Sequence, residues 1–255
     1  MWSATRTGSR LLPKGFNMAV VSSLKPFVAS LRSIADLPAN ASFNPATSQK
    51  DLRSHFKITV IDDETFTHAE RLHQLGFDIH YAKSLDNLNA AQVGQIFVCD
   101  IMGIDSDAKY DGVWTMSEIR RRHPVAPVIA YTFLKAVDKR YQEARRIAER
   151  VLRKSTEIDD LVDLLDGFIH ELNSPRGIFV RIRKHLLEKG LDTKDVAVIE
   201  HFFVQSFIKD DPRIFKTNAP KIANAAVADL LTDAGAFLAR SAVGGVIKAG
   251  TGAVF

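Results

Sequence analysis

Lys57-Ile58-Thr59-Val60-Ile61-Asp62-Asp63 is an apolar run that ends on two carboxylates, and the same design recurs three more times. Gln95-Ile96-Phe97-Val98-Cys99 closes on Asp100, and Pro127-Val128-Ile129-Ala130-Tyr131 closes on Thr132. Val151-Leu152-Arg153 is followed by Lys154. The runs are short, rich in Val, Ile and Phe, and separated by segments of helical character. Such a series reads as a parallel sheet with crossover helices, an α/β architecture. Ligands of these sheets sit beyond the carboxyl ends of the strands. Asp62, Asp63, Asp100, Thr132 and Lys154 all fall at those ends, so one pocket would gather them.

The residue types suit one job. A lone Asp at a strand end is usually a turn former or a helix cap. Three carboxylates in one pocket repel, and repulsion and burial both raise carboxylate pKa values. A hard divalent cation removes the conflict. Magnesium takes oxygen ligands and keeps several waters, so two or three carboxylates and a phosphate suffice to hold it. A hydroxyl and an ammonium beside the cation would bind a phosphoryl group.

In this order the residues resemble the receiver domain of bacterial two-component response regulators. Val60-Ile61-Asp62-Asp63-Glu64 is similar to that family's first strand and acidic pair. Asp100 matches its phospho-accepting aspartate, Thr132 its hydroxyl residue, and Lys154 its lysine. Asp111-Gly112 resembles the Asp-Gly that opens the third helix. The resemblance covers about residues 56–172. It implies a doubly wound five-stranded parallel sheet, flavodoxin-like, in the order 2-1-3-4-5. It further implies that Asp62, Asp63, Asp100 and the Met102 backbone carbonyl hold Mg2+. Asp100 would attack a phosphohistidine of a histidine kinase or phosphotransfer protein. Lys154 would offset charge on the transferring oxygens, and Thr132 would hydrogen-bond the phosphate. The chain departs from the pattern at Phe133, at Ser155, at Val151, and in a lengthened stretch from Asp100 to Gly112 that adds Asp105 and Asp107.

The chain has 255 residues, 46% hydrophobic and 25% charged, with formal net charge +4. That is an ordinary globular composition with room for one large or two small domains. Mild basicity permits nucleic acid or anionic lipid as partners without demanding either. The single cysteine, Cys99, excludes an internal disulfide. It reads as a buried apolar thiol. No P-loop, zinc spacing, nucleophile elbow or repeat is present, and the eight histidines form no ligand pattern.

Three parts are expected. Residues 1–54 form a basic extension, with Met18 as an alternative start and a linker at 38–50 rich in Pro, Asn and Ser. Residues 55–173 form the receiver-like part. Its helices are expected at 65–75, 85–92, 112–122, 137–149 and from a Ser155 or Thr156 cap to 172. Residues 174–255 are expected to be helical. Asn173-Ser174-Pro175-Arg176-Gly177 marks the boundary, with helices at 178–189, at 193–208 capped by Asp192, and at 219–242. Val196, Ile199, Phe202, Phe203 and Phe207 give the second of these an aromatic face. The end, 241–255, is apolar and glycine-spaced, too short to span a bilayer and poorly built for an interface.

The leading functional expectation is a phosphorylation-controlled switch, not an enzyme beyond its own phosphorylation, regulating a C-terminal helical output region and forming a homodimer in the cytoplasm. The alternative is a degenerate receiver that serves as a dimerisation or scaffold module. A DNA-binding regulator ranks lower, because residues 178–240 contain no Gly-bearing turn followed by a polar recognition helix. Membrane association through 241–255 ranks lower too. A haloacid-dehalogenase-type enzyme would need an Asp two residues after Asp100, where Met102 stands.

Overall fold

The computed structural model describes residues 31–84, 94–102, 111–222 and 225–242. Five parallel strands form the centre: β1 (Lys57–Ile61), β2 (Asp78–Ala82), β3 (Ile96–Asp100), β4 (Val128–Thr132) and β5 (Arg150–Arg153), in the order β2-β1-β3-β4-β5. β3 and β4 are buried at every position, as central parallel strands covered on both faces should be. β5 is one of the two edges, with β2, and it begins and ends on exposed arginines. Charge of this kind discourages pairing with another chain.

Alternation along the strands divides the apolar residues between two faces. Phe97 and Cys99 of β3, with Val128 and Ala130 of β4, face α3 (Gly112–Arg122) and α4 (Lys139–Ile147). Ile96, Val98, Ile129 and Tyr131 face the other way, onto α5 (Ile158–Asn173). On that face the apolar cluster does not stop. It runs on through α6 (Pro175–Glu188), α7 (Thr193–Ile208), α8 (Pro212–Asn218) and α9 (Ala225–Ala242). Phe179, Phe203, Phe215 and Phe237 are fully buried there.

Local chemistry explains the element ends. Asp192 caps α7 by accepting from the amides of Lys194 and Asp195, as expected. Gly190, at φ +82°, ends the turn after α6 in a region that suits glycine. The corner between α5 and α6 is tight: Ser174 ends one helix and caps the next, and Pro175 takes the first position. The boundary expected at Asn173–Gly177 is this helix–helix corner.

Several expectations need correction. The expected extension of residues 1–54 ends in a helix, α1 (Gln49–Ser54), that starts inside the expected linker at 38–50, and Leu37 and Phe43 ahead of it are buried. The segment is anchored by Asn173. Its side-chain oxygen accepts from the Asn44 amide at 2.8 Å, and its side-chain nitrogen donates to the Asn44 carbonyl at 3.0 Å. The helix expected at 65–75 is short, α2 (Ala69–Gln74), because Thr65 and Phe66 are irregular and Thr67 and His68 form a turn ahead of it. α4 spans only Lys139–Ile147, since Asp138 caps it and Glu149 is drawn into a buried ion network. α5 starts at Ile158 with Glu157 at the cap position, and neither Ser155 nor Thr156 caps it. α8, opened by Pro212, has no counterpart in the expected elements. The expected helix at 219–242 is a 3-10 turn at Ala219–Lys221 followed by α9.

The expected helix at 85–92, the added acids Asp105 and Asp107, the segment 1–30 with Met18, and the tail 243–255 lie outside the described residues. Among the described residues no helix is long and apolar enough to cross a membrane.

Candidate phosphoryl-transfer and metal site

Strand register brings the expected residues to one end of the sheet. Ile61 pairs with Ala82 and Cys99, Asp100 with Tyr131, and Thr132 with Arg153. Asp62, Asp100 and Lys154 therefore converge. The Lys154 ammonium lies 2.7 Å from Asp100 Oδ2, 3.0 Å from Asp62 Oδ2 and 3.5 Å from Glu64 Oε2. The side chains of Asp62, Asp100 and Lys154 are only 3%, 6% and 8% exposed. Asp63 is exposed, and one oxygen each from Asp62, Asp63 and Asp100 lie within 4.8 Å of one another.

Backbone amides fix the buried carboxylates. Asp62 Oδ1 accepts from the Glu64 amide at 2.9 Å, and Asp100 Oδ1 from the Met102 amide at 3.1 Å. Burial pushes the Asp100 carboxyl above its usual range, and the hydrogen bonds from Lys154 and Met102 only partly offset it. For Lys154, burial pulls the pKa down. The hydrogen bonds to Asp100 and Asp62 outweigh that and hold it above the ordinary value, so the ammonium stays charged.

Thr132 is fully buried at the end of β4, and its Oγ1 accepts from the Leu134 amide at 3.2 Å. Phe133 is 68% exposed, with its ring centroid 5.6 Å from Lys154 Nζ. Cys99 is buried, and burial raises its thiol well above the ordinary value. That matches an inert core thiol.

The donor set fits a hard cation. It consists of carboxylate oxygens alone, and it opens through Asp63 and Glu64 onto a cavity of about 540 Å3 also lined by Tyr81 and Lys83. Such an opening lets magnesium keep its waters. Asp62, Asp63 and Asp100 would hold it.

One contributor was not singled out from the sequence. Tyr131 is buried under the site and donates to the Lys154 carbonyl at 3.2 Å. Its place in an apolar run marked it as core and gave no hint of the hydroxyl's role. Gly112, read from the sequence as part of the Asp-Gly pair that opens the third helix, has a steric reason to be glycine. A Cβ there would lie 1.9 Å from the Asp100 carbonyl oxygen, so the start of α3 can approach the strand end only as glycine. Asp111 caps that helix by accepting from the Trp114 amide at 3.0 Å.

No family model matches the chain, and no curated protein matches it. Solved structures do. The receiver domain of NtrX from Brucella abortus is 23% identical over 44% of this chain and 98% of its own, with a TM-score of 0.39. Whole NtrX from the same organism is 21% identical over 52% of this chain, TM-score 0.39, and the match spans only 29% of that protein. The apo receiver domain of nitrogen regulatory protein C is 24% identical over 46% of this chain and 96% of its own, TM-score 0.40. On its own strand order, and on the strand-end placement of Asp62, Asp63, Asp100, Thr132 and Lys154, the α/β half of this chain has the response-regulator receiver fold.

Proposed function

We propose that the chain is a phosphorylation-controlled signalling switch in which Asp100 accepts a phosphoryl group from a phosphohistidine of a kinase or phosphotransfer protein. The observation that supports it most is the buried contact of Lys154 with both Asp100 and Asp62 at 2.7 and 3.0 Å. In the step, an Asp100 carboxylate oxygen forms the new P–O bond while the donor's P–N bond breaks and the imidazole leaves as a neutral ring after taking a proton. Magnesium, when bound, would neutralise charge on the phosphoryl oxygens. Lys154 presents its ammonium to those oxygens, and the Met102 amide, at 3.1 Å, holds the acceptor carboxylate in place. Thr132 Oγ1 accepts from the Leu134 amide, and its own O–H would donate to an oxygen of the arriving group.

The signal has a short route outward. Tyr131 holds the Lys154 carbonyl and belongs to the apolar cluster that includes α5 to α9. A shift of Lys154 onto the phosphoryl group would therefore reach the C-terminal helices, the proposed output and self-association region.

Intact-mass measurement with Mg2+ and acetyl phosphate tests this. The wild type should gain one phosphoryl group and Asp100→Asn none. Equal labelling of the two, or no labelling of the wild type, would remove the proposal. Light scattering on the same samples reads the homodimer.

A further inference from the structure

A second polar groove lies away from the Asp100 site, beside Arg150, which opens β5, and between α4 and α6. It consists of two adjoining cavities, of about 630 and about 400 Å3, that share Arg146, Ala148, Glu149 and Lys184. Their size is that of small-molecule clefts. At its base the negative groups are already engaged. Glu149 takes Arg120 and Arg181 at 2.5 Å each. The Arg120 guanidinium also donates to the carbonyls of Pro124, Ala126 and Ile147, between 3.1 and 3.2 Å.

What remains is positive. Among the described residues neither Arg145 nor Arg146 has an ion-pair or hydrogen-bond partner, and both are exposed along the α4 wall. Lys184 on the opposite wall reaches only Glu188, at 4.0 Å. Against these three stands Asp163, a lining carboxylate with no cation in ion-pair range. His185 reports the same field: burial, then the Arg120 charge, hold its ring below the ordinary value.

Gly167 is the second observation. It sits inside α5, where glycine costs helix stability. A Cβ at this position would meet nothing within 4 Å. Packing does not require glycine there, and the position lines the groove. A larger side chain would fill the space between the two basic walls.

We infer that this groove is a binding site for a short phosphate chain, a di- or triphosphate group held between the guanidinium groups of Arg145 and Arg146 on one wall and the ammonium of Lys184 on the other. Guanidinium forks match phosphate oxygens two at a time. Several charges in a row are needed to engage both walls at once. The occupied groove would tie α4 of the receiver half to α6 of the C-terminal half, without involving Asp100.

Calorimetric titration of the full chain with inorganic tripolyphosphate tests this. Wild type should bind with one site. The double variant Arg145→Gln/Arg146→Gln should bind roughly tenfold or more weakly. Lys139→Gln/Arg140→Gln removes the same charge from the same helix outside the groove, and should change affinity less than about twofold. Gly167→Leu should raise the melting temperature and weaken binding, a combination that damage to the fold cannot produce. No binding by the wild type, or equal weakening in the two double variants, overturns the inference. So does Gly167→Leu binding as tightly as wild type.

Discussion

Glu149 joins the receiver half to the C-terminal helices, and its removal gives a large and signed prediction. Its carboxylate accepts from Arg120 of α3 and Arg181 of α6 at 2.5 Å each, and from the Val128 amide at 2.8 Å. Arg181 also donates to the Val125 carbonyl at 2.7 Å, so the guanidinium is fixed before Glu149 arrives. The side chains are 10%, 21% and 24% exposed for Arg181, Arg120 and Glu149. Glu149→Gln keeps the shape, leaves Arg120 without a carboxylate partner, and leaves Arg181 only the longer pair with Glu171 at 3.3 Å. Removing one partner of a buried pair costs about 3–5 kcal/mol, and partial exposure points to about 3 kcal/mol here. With a urea slope of ~1–3 kcal/mol per molar, the midpoint should fall by roughly 1–3 M at unchanged slope.

The pH dependence has a definite sign. Burial alone would raise the Glu149 pKa, but the charges of Arg120 and Arg181 outweigh it and hold it below the usual value. A carboxylate depressed in the fold contributes stability above its unfolded pKa, about 4.3, and loses it as pH falls through the folded value. The gap between wild type and Glu149→Gln should therefore be full at pH 7 and close as the sample is acidified below about pH 4. Arg121→Ala, which breaks only the exposed pair with Glu118, should leave the midpoint where it is. A Glu149→Gln variant within about 0.5 kcal/mol of wild type at pH 7 would refute the reasoning, since that is the range of ordinary surface changes. A gap that ignores pH would do the same.

Two further outcomes follow from the strand-end site. Asp63→Ala should weaken Mg2+ binding by about tenfold or more, by analogy with the loss of groups that support a metal site; calorimetry showing unchanged affinity would reject the site. Gly112→Ala places a Cβ 1.9 Å from the Asp100 carbonyl oxygen and 2.5 Å from Ile101 Cα, so backbone must move. About 3 kcal/mol of destabilisation is expected, the upper range for overpacking, and a wild-type denaturation midpoint would contradict it.

The sheet was legible because buried parallel strands are continuous apolar runs, and the runs at β1, β3, β4 and β5 close on Asp, Thr or Lys. The Asp192 cap and the Gly190 stop were legible for similar local reasons. The flank before β1 was not. Pro38, Asn40, Ser42 and Pro45 give it a linker's composition, and nothing local shows that Leu37 and Phe43 find apolar cover or that Asn44 meets Asn173 across 129 positions. α8 is seven residues long, too short for periodicity to register. The Glu149 network is invisible for another reason. Arg120, Glu149 and Arg181 each sit in a charged stretch where a solvated face is the natural reading, and only tertiary packing selects these three. At the site, residue types told which groups meet but not how deeply Lys154 is buried between two carboxylates.

One apolar cluster runs from Leu37 to Leu238, and this has a consequence for synthesis. The cluster that starts on the sheet face carrying Ile58, Val98 and Ile129 is completed by α9, almost the final described element, which packs on α6 and α8. A nascent chain elongates at ~5–20 residues per second, so α9 leaves the ribosome on the order of seconds after the start of the apolar cluster it completes. During that interval the apolar cluster is incompletely covered, and the chain is open to holding chaperones and to self-aggregation. Premature termination anywhere after Asn173 would make that transient state permanent.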